Sequence, residues 1–181
     1  MKQARTLTDK QLRVVLAHCL TRRHAARDRA IVMASFLAGL RAKEIATLKT
    51  TGVQVADGTV RGTSLLSAAQ TKGGKARRVF VSSKLKRELI TYLTTVSLRP
   101  QCEALFQSQK GTAFNANTMC QLFLNIYKEC GIDGASSHSG RRSLLTNLAV
   151  LAEIAGHSSI SVTQKYLDAN DEQMRAAVEL A

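Results

Sequence analysis

The sequence predicts a mainly helical domain with a small three-stranded antiparallel β-sheet. Two observations carry that expectation. Apolar residues recur at the three-to-four spacing of an amphipathic helix over most of the chain. One stretch, from Thr59 to Ser83, abandons that spacing for short, partly β-branched runs punctuated by Gly58, Gly62, Gly73 and Gly74. The size agrees, because 181 residues is the length of one ordinary domain. Apolar residues make up 45% of the chain, enough to close a core.

Taken in order, Thr8 stands three residues before Gln11, a capping-box pattern, and Leu12, Val15, Leu16 and Cys19 then follow at i, i+3, i+4 and i+7. This predicts a helix over roughly 8 to 20. A second runs from Ala25 to Leu40 through Ile31, Val32, Met33, Phe36 and Leu37, with Gly39 as its carboxyl-terminal cap ahead of Arg41. A short helix from Ala42 to Leu48 follows. TVRGTSLL, SAAQTK and RRVFVS are the expected strands, with a hairpin at Gly73-Gly74. Helical spacing returns from Lys84 to Val96, through Leu85, Leu89, Tyr92 and Leu93, and stops before Pro100. Asn117 is the expected cap of a helix through Met119, Leu122, Phe123, Ile126 and Tyr127 that ends at Gly131. From His138 to Leu180 the pattern is helical apart from the Gly156 region.

Lys and Arg number 26 against 13 Asp and Glu, a formal charge of +13 that points to a polyanionic partner, with nucleic acid first among them. Aromatic residues are 4% and Trp is absent, which argues against gripping single strands by base stacking and favours the duplex backbone. No apolar run approaches a membrane span, and MKQARTLTDK has no apolar signal core, so the expectation is a soluble cytoplasmic protein. Cys19, Cys102, Cys120 and Cys130 form no C-x-x-C pair and have no His at zinc-ligand spacing. They read as buried thiols, neither disulfides nor a metal site.

Four local patterns stand out. Gly39-Leu40-Arg41-Ala42-Lys43-Glu44 sets an arginine at a helix junction with an acid three residues on; taken alone it is a surface ion pair. Thr71-Lys72-Gly73-Gly74-Lys75 puts a lysine at a hairpin tip, which alone is a solvated basic turn. It lacks the first glycine and the Ser or Thr of a nucleotide-binding loop. His138-Ser139-Gly140-Arg141 places imidazole and guanidinium on one face of a helical turn, able to converge on one anion. Finally, Gly156-His157-Ser158-Ser159-Ile160-Ser161-Val162-Thr163-Gln164-Lys165-Tyr166 carries a histidine after a glycine and a tyrosine nine residues later. Each has a bland reading by itself.

All four occur together and in this order, and in that the chain resembles the tyrosine recombinase (phage integrase) family. H-x-x-R followed by G-H-S-S-I-S-V-T-Q-K-Y is the specific part; the matches at Arg41 and Lys72 lean on order. The resemblance implies that family's catalytic-domain fold and a DNA strand transferase that cleaves and rejoins through a covalent 3′-phosphotyrosine. It implies Tyr166 as nucleophile, Arg41 and Arg141 on the phosphate, His138 as base, Lys72 as general acid and His157 as a hydrogen-bond donor to the phosphate. The chemistry fits the set. Breaking a phosphodiester needs a nucleophile, charge neutralisation on the nonbridging oxygens and an acid for the leaving oxygen. Guanidinium forks match phosphate oxygens and keep their charge. A tyrosine with a free pKa near 10 is ionised only about one part in a thousand at neutral pH, so it needs that field. No nucleotide, metal or other cofactor is implied, because the phosphotyrosine conserves the bond energy. Glu44 is expected to orient Arg41.

The resemblance further implies double-stranded DNA as partner and a homo-oligomer, a tetramer, on that DNA, with the helix from Asp171 to Leu180 packing on its own domain or docking on a neighbour. Residues 1–181 read as a single catalytic domain without the amino-terminal DNA-clamping domain most members carry. The chain also departs from the pattern between Arg141 and His157. Sixteen residues separate the two, about seven fewer than usual, or roughly two helical turns. Leu144, Leu148, Leu151 and Ala155 continue at helical spacing with no Gly or Pro between them. A straight helix would hold the two Cα atoms about 24 Å apart, so a shared phosphate requires a break near Ala149-Val150 or a turn that this chain omits, and an omitted or deleted loop is the favoured reading. Two alternatives to the recombinase stay open: a DNA-binding relic or regulator without turnover, and a type IB topoisomerase-like strand transferase.

Overall fold

A computed structural model describes residues 4–71, 73–154 and 179. In chain order its elements are α1 (Asp9–Thr21), α2 (Ala25–Ala38), α3 (Ala42–Ala46), α4 (Thr50–Val53), β1 (Thr63–Leu66), β2 (Arg77–Phe80), α5 (Ser83–Thr95), α6 (Ala116–Glu129) and α7 (Ser139–Ile154). The mainly helical class with a small antiparallel sheet is as expected.

The helix caps explain most boundaries. At α1 the Thr8 hydroxyl accepts from the Gln11 N–H at 3.3 Å, and Gln11 Oε1 accepts from the Thr8 N–H at 3.1 Å, the reciprocal pair the spacing predicted. Gly39 ends α2 in the left-handed region at φ 59°, two residues earlier than the apolar run suggested, because a residue without Cβ takes that turn without strain. The cap of α6 is Asn115 and not Asn117: Asn115 Oδ1 accepts from the Thr118 N–H at 2.8 Å while the Thr118 hydroxyl accepts from the Asn115 N–H at 3.0 Å. Thr118 at the third helical position completes the box, which Asn117 inside the helix does not.

The sheet is a correction. It has two strands, β1 and β2, paired antiparallel with Thr63 opposite Phe80 and Leu66 opposite Arg77. The expected strand SAAQTK instead forms a 3-10 turn, Ala68–Gln70. Ser67 and Gln70 cap that turn, the Ser67 N–H donating to Gln70 Oε1 at 2.9 Å, and the Thr71 hydroxyl bonds to the Ala68 carbonyl at 3.1 Å. Short polar side chains that bond to nearby backbone compete with a ladder. In TVRGTSLL, Val60 contributes only a single bridge to Gln54 before the strand proper begins.

α2 is buried on every side, from Ala30 through Leu37 without interruption, as expected of a helix with no polar face. It packs against α1, α5 and α7 and forms the axis of the domain. Tyr92 and Phe106 lie 5.3 Å apart at their ring centroids beside it, with the Tyr92 hydroxyl donating to the Leu105 carbonyl at 2.9 Å. Of the four cysteines only Cys19 is buried; Cys102, Cys120 and Cys130 are half-buried. Burial pushes the Cys19 thiol up to about 12.

α7 crosses α2 at Gly140. A Cβ there would stand 2.5 Å from Ser35 Oγ and 2.9 Å from Phe36 Cδ2, so only glycine permits this approach. The helix then runs unbroken through Ala149 and Val150 to Ile154, as its spacing predicted and without the break a shared phosphate required. Glu179 meets the amino end of α5, its carboxylate accepting from the Ser83 N–H and hydroxyl at 2.6 and 2.9 Å. No helix among the described residues is long and apolar enough to cross a membrane.

Candidate active site

The carboxyl end of α2 is where the site assembles. Arg141, three residues into α7, reaches over Gly39 and donates from Nη1 to its carbonyl at 2.6 Å. That satisfies one of the last carbonyls of α2, at the end where the helix dipole favours a cation. Leu144, one turn on, packs over the same glycine. Gly140 therefore has a functional consequence: by letting α7 sit on α2 it delivers Arg141 to the junction that bears Arg41.

Arg41 precedes α3 in extended conformation. Its backbone N–H donates to Glu44 Oε2 at 2.9 Å and its Nη1 to Glu44 Oε1 at 3.1 Å. Glu44 is only 1% exposed, so the pair is not the surface one that the spacing alone suggested, and its two contacts hold Arg41 in the orienting manner expected from the resemblance. A further guanidinium joins it, because Arg77 Nη2 donates to Glu44 Oε2 at 2.7 Å. Burial by itself would raise the Glu44 carboxyl, but the bonds from Arg77 and the Arg41 backbone and the charges of both arginines hold it below the usual carboxylate range. Burial and repulsion from Arg41 and Arg77 push Arg141 below the usual guanidinium value, with Glu44 opposing them. Arg41 and Arg77 thus share one carboxylate while Arg141 stands within the field of both, so that among the described residues three guanidiniums face one acid. Arrangements of this kind bind a phosphate through charge-assisted, bidentate bonds.

The structure brings together Arg41 and Arg141. His138 is exposed just ahead of α7, one helical turn before Arg141, with its backbone N–H donating to Ser136 Oγ at 3.3 Å. Lys72, His157 and Tyr166 lie outside the described residues. The connection that carries Lys72 is nonetheless tied to α3 on both sides. Lys43 Nζ donates to the Ala69 carbonyl at 3.1 Å and Gln70 Nε2 to the Thr47 carbonyl at 2.5 Å before it, and Arg77 grips Glu44 after it. Arg77 was not among the predicted site residues. Its signal was in the strand alternation, since Arg77 is in phase with Val79 and stands opposite Leu66, both buried, and an arginine on the inward phase needs a partner. A cavity of about 520 Å³ opens at the other end of α2, lined in part by Arg23, His24, Arg27 and Arg99. It lies about 20 Å from this cluster by the length of the helix, and Arg41, His138 and Arg141 are not among its lining residues.

The surroundings of the site match proteins already known. A tyrosine recombinase XerC from Pelobacter propionicus is 28% identical over 148 residues, 77% of this chain and 47% of that protein. A XerC from Lactobacillus leichmannii is 26% identical over 163 residues, 83% of this chain and 53% of the relative. The chain spans about half the length of these curated relatives. Among solved structures, the XerA recombinase superposes with a TM-score of 0.63 at 20% identity, over 97% of this chain and 62% of that one. XerH bound to its difH substrate after cleavage gives 0.61 at 23% identity, over 97% and 53%. These two share the fold. The family model for phage integrases matches residues 5–173, from the segment before α1 to beyond Tyr166, and this chain belongs to the phage integrase family.

Proposed function

We propose that residues 1–181 form the catalytic domain of a site-specific DNA recombinase that cuts and rejoins duplex strands through Tyr166. The observation that carries this is the surplus of guanidiniums among the described residues at the carboxyl end of α2, where Arg41 and Arg77 pair with the buried Glu44 and Arg141 lies within the field of both. The Tyr166 oxygen attacks phosphorus, its proton passing to His138. The bond to the 5′ oxygen breaks, and that oxygen leaves with a proton from Lys72. Arg41, Arg141 and His157 bond to the nonbridging oxygens, whose charge grows in the transition state. The product is a 3′-phosphotyrosyl strand and a free 5′ hydroxyl, and the reverse attack by a 5′ hydroxyl reseals DNA without a nucleotide or metal. The formal charge of +13 holds the duplex backbone. The active form is a homotetramer on its DNA, in the cytoplasm.

The test is a duplex nicked close to the recombination site, so that the short 5′ strand diffuses away once cleaved. Wild type should then accumulate a covalent protein–DNA adduct that Tyr166→Phe does not form. Light scattering on target duplex should show four copies of the chain.

One observation favours a second reading, a DNA-binding member of the fold without turnover. The unbroken α7 sets Ile154 about 20 Å along the helix axis from Arg141, and His157 follows only three residues later in the sequence. Wild type that retards duplex on a gel yet forms no adduct on the nicked substrate would establish that reading.

A further inference from the structure

Glu44 poses an electrostatic problem that Arg41 cannot solve alone. A carboxylate bonded to Arg41 orients it and, at the same time, cancels the charge that Arg41 has to offer a phosphate. Being 1% exposed, Glu44 is poorly screened by solvent, so the cancellation would be nearly complete. The geometry contains a remedy. Glu44 Oε1 takes the Arg41 side chain at 3.1 Å, while Oε2 takes the Arg41 backbone at 2.9 Å and Arg77 Nη2 at 2.7 Å. Arg77 enters from a different element, as the first residue of β2. Its Nε is buried and makes no bond, and the carboxylate its Nη2 meets is the 1% exposed Glu44.

We propose that Arg77 is a positioning residue for the phosphate chemistry: it offsets the charge of Glu44, so that Glu44 can fix Arg41 while Arg41 and Arg141 keep their positive field for the scissile phosphate. This rests on the strand-transfer reading above and goes beyond it by giving β2 a part in the reaction. Arg77 touches neither the phosphate nor the leaving group in this account. It acts through Glu44, and its removal drops the surplus at the site from two charges to one.

Three measurements on the full chain test it. The first needs no catalysis: the titration midpoint of the Glu44 carboxyl, followed by carbon-13 NMR, should move up in Arg77→Gln relative to wild type and stay near the wild-type value in Arg77→Lys. An unmoved midpoint in Arg77→Gln overturns the inference whether or not the protein cuts DNA. The second compares nicked substrates with a scissile phosphodiester or an uncharged methylphosphonate. Arg77→Gln should slow adduct formation on the diester by roughly tenfold to a hundredfold and on the methylphosphonate by much less, because the neutral group asks little of the positive field. Equal slowing on both would mean a merely structural strap between β2 and α3, and the proposal falls. The third is Arg77→Gln combined with Glu44→Gln, which should form adduct faster than Arg77→Gln alone, since the uncompensated carboxylate is gone; a simple product of the two single defects overturns it. If wild type forms no adduct on either substrate, the strand-transfer reading fails, and the Glu44 midpoint still decides whether Arg77 offsets that carboxylate.

Discussion

The two ends of α2 carry opposite solutions to the burial of charge. At the amino end, Asp28 accepts from Arg22 Nε at 2.9 Å and from Arg27 Nη2 at 2.7 Å, and Glu129 of α6 takes the same Arg22 together with His18 of α1. Acids and bases there are nearly matched, and the network ties three helices together. At the carboxyl end, Glu44 alone among the described residues answers Arg41 and Arg77, with Arg141 close enough to be pushed down by both. Matched charge serves the scaffold. An unmatched cation cluster costs stability in the free protein, and that cost is offset only when an anion arrives.

Asp28→Ala should break the matched end most severely. Asp28 is 1% exposed, and leaving two guanidiniums without it should cost about 3 to 5 kcal/mol in urea unfolding. Arg141→Ala is the corresponding change at the unmatched end and should act in the other currency. It should slow adduct formation by two to three decades, about 2.7 to 4 kcal/mol of barrier, while unfolding stability stays level or rises because a repelled cation is gone. A fall in stability as large as that of Asp28→Ala would erase the distinction between the two ends.

Gly140→Ala tests the approach that joins them. Its Cβ would press on Ser35 Oγ and Phe36 Cδ2, so a cost of about 1 to 3 kcal/mol is expected, with a loss of adduct formation because Arg141 moves with α7. A folded protein of wild-type stability and rate would show that α7 has slack at this crossing. Acid sharpens the comparison further. Glu44 sits below its ordinary 4.5 when folded, so it contributes stability that is present above that value and is lost as pH falls through the lower folded one. Glu44→Gln should therefore flatten the acid limb of the stability profile below about pH 4.5. His18→Ala should have the smallest effect, at most about 1 kcal/mol, because the Glu129 carboxylate it meets is 45% exposed and solvent screens the pair.

Much of this was legible beforehand. Thr8 with Gln11, the all-round apolar run of α2 and Gly39 at its end are local signals, and local signals place helices. Arg41, His138 and Arg141 were singled out through the family resemblance, with Glu44 expected to orient Arg41, and the structure shows that Arg41–Glu44 contact. The misses share a cause. SAAQTK was read as a strand with the other short runs of its glycine-punctuated stretch, whereas Ser67 and Gln70 bond to each other and close a turn. Asn117 is not the cap of α6 because what places the cap at Asn115 is its reciprocal pair with Thr118. Arg77 was passed over because its importance lies in a contact with Glu44, a residue 33 positions away in the chain.

The amino-acid order by itself determined the helices, their caps, the basic charge and the family, because propensity, periodicity and motif spacing are properties of neighbours along the chain. Only the tertiary structure decided that α7 lies close enough on α2 to carry Arg141 over Gly39, and that one buried carboxylate must serve both Arg41 and Arg77. Those are facts of packing and of charge in a low-dielectric interior, where what matters is distance in space and the number of opposing charges within it.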